Sequence, residues 1–205
     1  MHVILVNGSP HAKGCTNRAL EEVQAQLTRE GATSSIFWIG ANVRPCLGCY
    51  QCRTLGHCVI DDTVRDFLKQ AETADAFIFG SPVYYSSATG SITAFLDRAF
   101  FSGGAVLSGK PAASVVSCRR GGATATFAQL NMYALINQMP IVPSNYWNQV
   151  HGNTPQEVEQ DAEGLQTLRL LASNLVWLLR SIQAGREAGV PPPLREQKIA
   201  TNFIR

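Results

Sequence analysis

Four of the six cysteines of this 205-residue chain lie within thirteen residues, in the segment RPCLGCYQCRTLGHCVIDD. They are Cys46, Cys49, Cys52 and Cys58, with the spacing C-x2-C-x2-C-x5-C. Three thiolates within seven residues resemble compact ligation of a four-iron cluster more than the two separated pairs of a structural zinc site. The same segment suits a metal-free loop whose cysteines pack as small apolar groups. Disulfides are disfavoured in a reducing compartment, so cluster and metal-free loop stay open as alternatives.

The composition favours one globular domain, residues 1–205, because 45% of the residues are hydrophobic and 16% charged. A net charge of +2 without a lysine or arginine run argues against a nucleic-acid partner. No apolar run approaches the roughly 20 residues of a membrane-spanning helix. The first apolar run starts at Val3 with no basic or cleavable segment before it. We therefore expect a cytoplasmic protein without a membrane partner.

Strand-like and helix-like patterns alternate five times along the chain. The expected strands are HVILVNGSP, SSIFWIG, DAFIFGSPVYY, AASVVSC and PIVPSNYW. The first expected helix starts at Thr16, has Thr16 or Asn17 as its cap and stops at Gly31, and the second starts from a cap at Asp62. The other three are expected at Ser91 to Phe101, Ala125 to Gln138 and Pro155 to Gln183. This alternation predicts an α/β fold in which a five-stranded parallel sheet lies between two helical layers. Three consecutive prolines near the end predict an extended arm from about residue 186, lying on this subunit or a neighbour.

Ligands of such sheets bind beyond the carboxyl ends of the strands, which directs attention to three loops. The first loop, residues 7–14, opens the segment NGSPHAKGCTNRAL and combines glycines and Ser9 with a helix start at Thr16 and Asn17. Backbone N–H groups, hydroxyls and a helix dipole can cradle a phosphate there. The segment matches neither the Walker nor the G-x-G-x-x-G pattern. The alternative is a capped helix after a polar turn.

The second loop, residues 82–89, follows the third strand in the segment GSPVYYSSATGSITAFLDR. Pro82 restricts the backbone, while Val83, Tyr84 and Tyr85 offer planar apolar surface next to Ser86. Such a loop suits an aromatic heterocycle. The tyrosines could instead be core or dimer contacts.

Together these two segments resemble the NADPH-dependent FMN reductase family of flavodoxin-like proteins, and the cysteine segment is similar to that of its iron–sulfur flavoprotein branch. The resemblance implies a flavodoxin-like three-layer sandwich that binds FMN, and a homodimer or homotetramer that shares the site. It places the phosphate among Ser9, His11, Cys15, Thr16 and Asn17. It places the isoalloxazine ring against Pro82, Val83, Tyr84, Tyr85 and Ser86.

The third loop, residues 119–122, follows the fourth strand and contains Arg119, Arg120 and Gly121. An arginine near the pyrimidine side of a flavin would stabilise negative charge on reduction, and an arginine could also bind the NADPH phosphate. The alternative is a solvated pair of charges beside a turn. Cys118, at the end of an apolar run, is expected to be a core residue.

A further aromatic segment, PSNYWNQVHG, places Tyr146, Trp147 and His151 after the fifth expected strand. The aromatic residues suit a roof over a flavin, a subunit contact or edge packing. His151 is a candidate proton donor, because histidine titrates in the right range.

These features predict an FMN-dependent oxidoreductase that takes hydride from NADPH or NADH and needs no dedicated catalytic base. The acceptor would be a quinone, a free flavin, an azo or nitro compound, or a redox protein. One alternative is an iron–sulfur electron carrier that works with ferredoxin-type partners. Another is a binding or regulatory module on the same fold.

Overall fold

A parallel sheet forms the centre of the protein, and the structure, a computed structural model, describes residues 1–197, 199–201 and 203. The parallel strands are β1 (His2–Asn7), β2 (Thr33–Trp38), β3 (Ala76–Tyr84), β5 (Ala112–Cys118) and β6 (Gln149–His151), and a short strand β4 (Ser87–Ala88) pairs antiparallel with β3. The order across the sheet is β2-β1-β3-β5-β6. Strand β2 lies on one side of β1 and the later strands lie on the other, so the strand order reverses between β1 and β3. The predicted five-stranded parallel sheet is confirmed.

Helices cover both faces of the sheet. They are α1 (Cys15–Arg29), α2 (Cys52–Leu55), α3 (Thr63–Ala71), α4 (Gly90–Leu107), α5 (Ala123–Ile136), α6 (Pro155–Val158) and α7 (Ala162–Glu187). One apolar cluster joins the sheet to α1 and α7, and the other joins it to α3, α4 and α5. Among the described residues, the helices are all too short or too polar to cross a membrane.

Strand β1 shows why the sheet must be covered on both sides. Val3, Ile4, Leu5 and Val6 are all fully buried. Side chains alternate between the faces of a strand, and accordingly Ile4 and Val6 belong to one apolar cluster while Val3 and Leu5 belong to the other. A continuous apolar run without alternation is therefore the expected pattern of this central strand.

The prediction of a fifth strand at residues 140–147 is wrong. In that segment, Ile141 makes one isolated bridge to Ala112, and the strand β6 begins at Gln149 instead. Pro143 has no N–H to donate to a sheet. The hydroxyl of Ser144 lies 2.6 Å from the carbonyl oxygen of Tyr146 and closes a turn rather than continuing a strand.

Several helix boundaries also differ from the predictions, and α4 continues to Leu107, past the predicted end at Phe101. Helix α1 begins at Cys15 with Gly14 at the cap position, so Thr16 and Asn17 lie inside the helix rather than at its cap. The predicted helix from Pro155 to Gln183 is two helices, because the side chain of Asp161 accepts a hydrogen bond from Gly164 N at 2.9 Å and starts α7 anew. The predicted cap at Asp62 is confirmed by its bond from Val64 N at 3.1 Å.

The tail begins after α7, which extends to Glu187, slightly beyond the expected start of the arm at about residue 186. From Val190 to Gln197 the chain has neither helix nor strand and is exposed. Arg195 donates a hydrogen bond to the hydroxyl of Ser108. The parts of the predicted arm at positions 198, 202, 204 and 205 lie outside the described residues.

Candidate functional site

The first and second loops meet where the strand order reverses. Gly8 N donates to Gly80 O at 2.8 Å, and the hydroxyl of Thr89 donates to Gly8 O at 2.8 Å. A Cβ at Gly8 would lie 2.6 Å from Ile92 Cβ and 2.7 Å from Gly80 O, so only glycine allows this approach. Thr89 also caps α4 by accepting from Ile92 N at 3.2 Å. The first loop, the second loop and the start of α4 are therefore one connected unit.

The start of α1 has the properties of an anion site. Gly14 at the cap position has no side chain to accept hydrogen bonds from the first turn, and the first turn contains no acidic residue. The first N–H groups of a helix have no partner within the helix. The backbone N–H groups of Cys15, Thr16 and Asn17 therefore remain as donors at the positive end of the helix dipole.

The side chains predicted to surround a phosphate divide into two groups. Those of Thr16 and Asn17 are already engaged: the Thr16 hydroxyl lies 2.8 Å from the Ser117 hydroxyl, and Asn17 Nδ2 donates to Glu21 Oε1 at 2.7 Å. Both residues are buried. These two residues can therefore offer a ligand their backbone N–H groups but not their side chains. Residue type alone does not reveal this distinction.

Ser9, by contrast, lies where the first loop turns. Ser9 is also buried; its hydroxyl accepts from His11 N at 3.1 Å and donates to no group in the part of the chain that the structure describes, while the His11 side chain is exposed. Trp38 Nε1 donates to Ser9 O at 2.8 Å and holds the turn from the end of β2. Trp38 is a supporting residue that the sequence analysis missed, because its strand is distant in the chain.

The second loop is a hairpin between β3 and β4. Its two central residues, Tyr85 and Ser86, have φ angles of 50° and 59°. A two-residue turn of this type normally takes Asn-Gly, because side chains disfavour positive φ at both positions. Tyr85 is fully exposed, Tyr84 is about half exposed, and Pro82 and Val83 are half-buried. A strained turn thus presents the aromatic and small polar side chains that were predicted to contact a ring.

A glutamine on α5 supports this hairpin. Gln129 Oε1 accepts from the Ser87 hydroxyl at 2.8 Å and from Ala88 N at 2.9 Å. Ser81 adds to this support, because its hydroxyl accepts from Thr89 N at 3.1 Å. The contacts of Gln129 join residues 41 and 42 positions apart, and no local pattern in the sequence indicates them.

The third loop packs against the same hairpin. Arg119, Arg120 and Gly121 are exposed, and Gly122 precedes α5 with φ of 89°. A Cβ at Gly122 would lie 2.8 Å from Ser86 Cα. The two arginines therefore lie at the edge of the hairpin. Within the described residues, neither of them forms an ion pair.

The aromatic segment flanks β6: Tyr146 and Trp147 precede the strand, and His151 is its last residue. Tyr146 and Trp147 are exposed and pack edge to face at 4.6 Å, and His151 Nδ1 lies 3.6 Å from Asp161 Oδ2. Next to His151, Gly152 connects this edge to the first loop, because its carbonyl oxygen accepts from Cys15 Sγ at 3.7 Å.

Cys15 and Cys118 are poor nucleophiles in this setting. Burial raises the pKa of the Cys15 thiol, with the charge of Glu157 adding to the effect. Burial also raises the pKa of Cys118, as does the charge of Asp161. Cys118 belongs to the apolar cluster under α5, which confirms its prediction as a core residue.

The four-cysteine loop, residues 44–62, lies along α4 on the other side of the second loop. All four of its cysteines line one small apolar cavity, together with Leu47, Tyr50, Val59, Ile60, Arg98, Phe101 and Ser102. The cavity of about 20 Å³ has room for about one water molecule. Cys46 and Cys49 are exposed, and all six cysteines of the chain are free thiols.

The four thiols do not converge on one point. Among the described residues, no three His, Cys, Asp or Glu side chains are grouped closely enough to hold a single metal ion. A tetrahedral zinc site requires such convergence, whereas a four-iron cluster takes one thiolate at each of several irons. All four thiols nevertheless line one cavity, and thiolates are the donors that iron–sulfur clusters take.

Comparisons with known proteins identify the family of this chain. The model of the NADPH-dependent FMN reductase family matches residues 1–154, and the chain belongs to that family. An iron–sulfur flavoprotein of Methanocaldococcus jannaschii is 31% identical over 192 residues, covering 89% of this chain and all of the relative. An iron–sulfur flavoprotein of Methanosarcina thermophila is 28% identical, covering 91% of this chain and all of that relative.

Solved structures show the fold. The flavodoxin-like WrbA-like protein from Agrobacterium tumefaciens has a TM-score of 0.60 at 21% identity, covering 88% of this chain and 96% of that one. The NAD(P)H:quinone oxidoreductase from Methanothermobacter marburgensis has a TM-score of 0.66 at 17% identity, covering 85% of this chain and 96% of that one. The flavodoxin-like fold predicted from the sequence is therefore confirmed.

The strained hairpin gives a prediction about stability. Replacing Tyr85 and Ser86 together by Asn-Gly should raise the free energy of unfolding by about 1 to 2 kcal/mol, because the new residues tolerate positive φ. Urea denaturation measures the change. Tyr85→Phe is the control and should leave stability unaltered, since the Tyr85 ring is fully exposed. Equal stability of the Asn-Gly variant and the wild type would show that the turn is not strained.

The close approach of the third loop gives a second prediction. Gly122→Ala should lower the free energy of unfolding by about 2 kcal/mol, because Ala disfavours the positive φ and its Cβ meets the backbone of Ser86. Gly121→Ala is the matched control, since a Cβ there meets nothing within 4 Å. Thermal and urea unfolding of both variants should separate them, and equal losses would contradict the packing described here.

Proposed function

We propose that this protein binds FMN and uses it to pass hydride or electrons from NAD(P)H to a quinone, a flavin, an azo or nitro compound, or a redox protein. The main support is that three loops are connected at the reversal of strand order: the first loop contacts the second at Gly8, and the third packs against the second at Gly122. Family membership supports the same cofactor. FMN, when bound, accepts hydride at N5 and releases electrons singly or in pairs.

The start of α1 would hold the FMN phosphate. The N–H groups of Cys15, Thr16 and Asn17 and the hydroxyl of Ser9 supply donors, and no first-turn carboxylate repels the anion. His11, exposed beside Ser9, is available to the same phosphate. Hydrogen bonds to a charged group contribute about 1.5 to 3 kcal/mol each, so the phosphate should dominate affinity.

The hairpin would hold the isoalloxazine ring. Its residues Pro82 to Ser86 are presented by a turn that cannot rearrange freely, because β4 and Gln129 fix the returning strand. Arg119 and Arg120 stand next to it on the third loop. One guanidinium would stabilise the negative charge that reduction places on the pyrimidine side of the ring, and a guanidinium also suits the phosphate of NADPH.

Anaerobic reconstitution tests this proposal directly. Protein incubated with FMN and desalted should stay yellow, and adding NADPH or NADH without oxygen should bleach it. Steady-state oxidation of NAD(P)H with a quinone separates a reductase from an electron carrier. Colourless protein after desalting, or a flavin band unaffected by both nicotinamides, would contradict the proposal.

A substitution at the helix cap tests the phosphate site. Gly14→Asp would supply a carboxylate that accepts from the first-turn N–H groups and repels phosphate, so FMN affinity should fall more than about tenfold, equivalent to about 1.4 kcal/mol. Riboflavin, which has no phosphate, should bind the variant and the wild type equally. Gly14→Ala controls for the added Cβ. Equal loss of both ligands, measured by fluorescence quenching, would place the phosphate elsewhere.

We also propose that the four-cysteine loop holds a four-iron cluster through Cys46, Cys49, Cys52 and Cys58. The specific support is that all four line one apolar cavity, and the relatives named as iron–sulfur flavoproteins span most of this chain. A cluster there would favour the second candidate function, an electron carrier that exchanges electrons with a ferredoxin-type partner.

Iron and sulfide analysis of anaerobically reconstituted protein tests the cluster. About four irons and four sulfides per chain are expected. Cys49→Ala should lose most of the iron while keeping FMN. Cys118→Ala is the matched control, because Cys118 is buried beneath α5 and should keep the wild-type iron content. Protein that takes up FMN but no iron would remove the cluster and leave the flavin proposal intact.

A further inference from the structure

Arg98 is a charged side chain buried in the protein, with 1% exposure. It lies on α4, in contact with the four-cysteine loop. Burying a charge is costly unless the group is paired and its hydrogen bonds are satisfied. A buried arginine is therefore expected to have a counter-charge and a hydrogen-bond acceptor for each of its N–H groups.

Every N–H group of this guanidinium has a partner. Nε donates to Cys58 Sγ at 3.4 Å, Nη1 donates to Asp62 Oδ2 at 2.7 Å and to Arg44 O at 3.3 Å, and Nη2 donates to Asp62 Oδ1 at 2.9 Å and to Ile60 O at 3.1 Å. The contact with Asp62 is the bidentate pairing that planar guanidinium and carboxylate groups favour.

These partners lie at both ends of the four-cysteine loop. Arg44 comes two residues before Cys46, the first cysteine, whereas Cys58 is the last cysteine, and Ile60 and Asp62 follow it. Between the ends, the chain has little regular structure except the single turn of α2. One side chain from α4 thus joins the beginning of the loop to its end.

Asp62 links this arrangement to the body of the protein. It accepts from Val64 N at 3.1 Å and so caps α3 while it binds Arg98. Burial alone would raise the pKa of Asp62, but the hydrogen bonds from Arg98 and Val64 outweigh burial, and the pKa is lowered. The carboxylate therefore stays charged at neutral pH and compensates the buried guanidinium.

We infer that Arg98 is the positioning residue of the four-cysteine loop: it holds the two ends of the loop together before any cluster binds and directs an N–H group to the Cys58 sulfur. The second part rests on the proposed cluster. An N–H donated to a ligating sulfur stabilises added negative charge, so it raises the reduction potential of a bound cluster.

Three variants test the inference. Arg98→Met removes the charge and all the donors. Arg98→Lys keeps the charge but lacks the planar fork that contacts Asp62 and Cys58 together. Arg65→Met is the matched control, because Arg65 lies beside the same loop and pairs with Asp61 at 3.1 Å on the surface.

The first measurement uses protein with FMN but without iron. Amide hydrogen exchange across residues 44–62 should become at least about tenfold faster in Arg98→Met, equivalent to about 1.4 kcal/mol of local opening, and stay unaltered in Arg65→Met. Exchange in the parallel strands reports whether the fold survives. Wild-type exchange rates in the loop of a folded Arg98→Met protein would overturn the inference.

The second measurement uses reconstituted protein. Arg98→Met should bind less iron per flavin than the wild type, and Arg98→Lys should bind iron but show a cluster potential shifted to more negative values. An unshifted potential in Arg98→Lys would overturn the role of the Cys58 contact. A purely structural contribution of Arg98 to folding would not move the potential.

Two further outcomes are informative. If Arg98→Met does not fold, the double variant Arg98→Met, Asp62→Asn leaves no buried charge unpaired and retains a cap for α3, and its loop should still exchange faster than that of the wild type. If the wild type binds no iron, the proposed cluster is wrong, while hydrogen exchange in the loop still decides whether Arg98 positions it.

Discussion

The approach of the first loop to β3 at Gly8 is the constraint on which the rest of the site depends. The backbones come close enough for Gly8 N to bond Gly80 O, and Thr89 reaches back to bond Gly8 O. Because β1 and β3 are neighbours at the reversal of strand order, this contact joins the first loop, which leads into α1, to the start of α4. The two loops proposed to hold a phosphate and a flat ring are therefore joined through Gly8.

Helix α4 extends that organisation to the cysteines. Its first residue, Gly90, directly follows the second loop, and Arg98 lies eight positions later, about 12 Å along the helix axis. The same rigid element therefore supports the hairpin at one end and the four-cysteine loop farther along. Arg98 is buried and paired with Asp62, so the contact between α4 and the four-cysteine loop is part of the protein interior rather than a surface contact.

Much of the architecture could be predicted because local patterns carry it. The run from Val3 to Val6 is buried on both faces, as a central parallel strand requires, and Asp62 caps its helix through its own side chain. The wrong fifth strand has an equally local cause. Residues 140–147 are rich in apolar and aromatic residues, which favours a strand. In the structure, however, the segment that pairs with Val116 of β5 begins at Gln149. Helix α7 begins later than predicted because Asp161 caps it.

For the candidate site, residue types and their positions after the strands predicted the three loops and the phosphate and flat ring that would suit them. The tertiary structure alone decided what each residue offers. Thr16 and Asn17 are turned inward by Ser117 and Glu21, leaving backbone donors, and Tyr85 is held outward by a turn that its own preferences disfavour. Gln129, Trp38 and Arg98 contribute through contacts between residues far apart in the chain. Such contacts depend on how the layers pack, and local sequence patterns do not encode that packing.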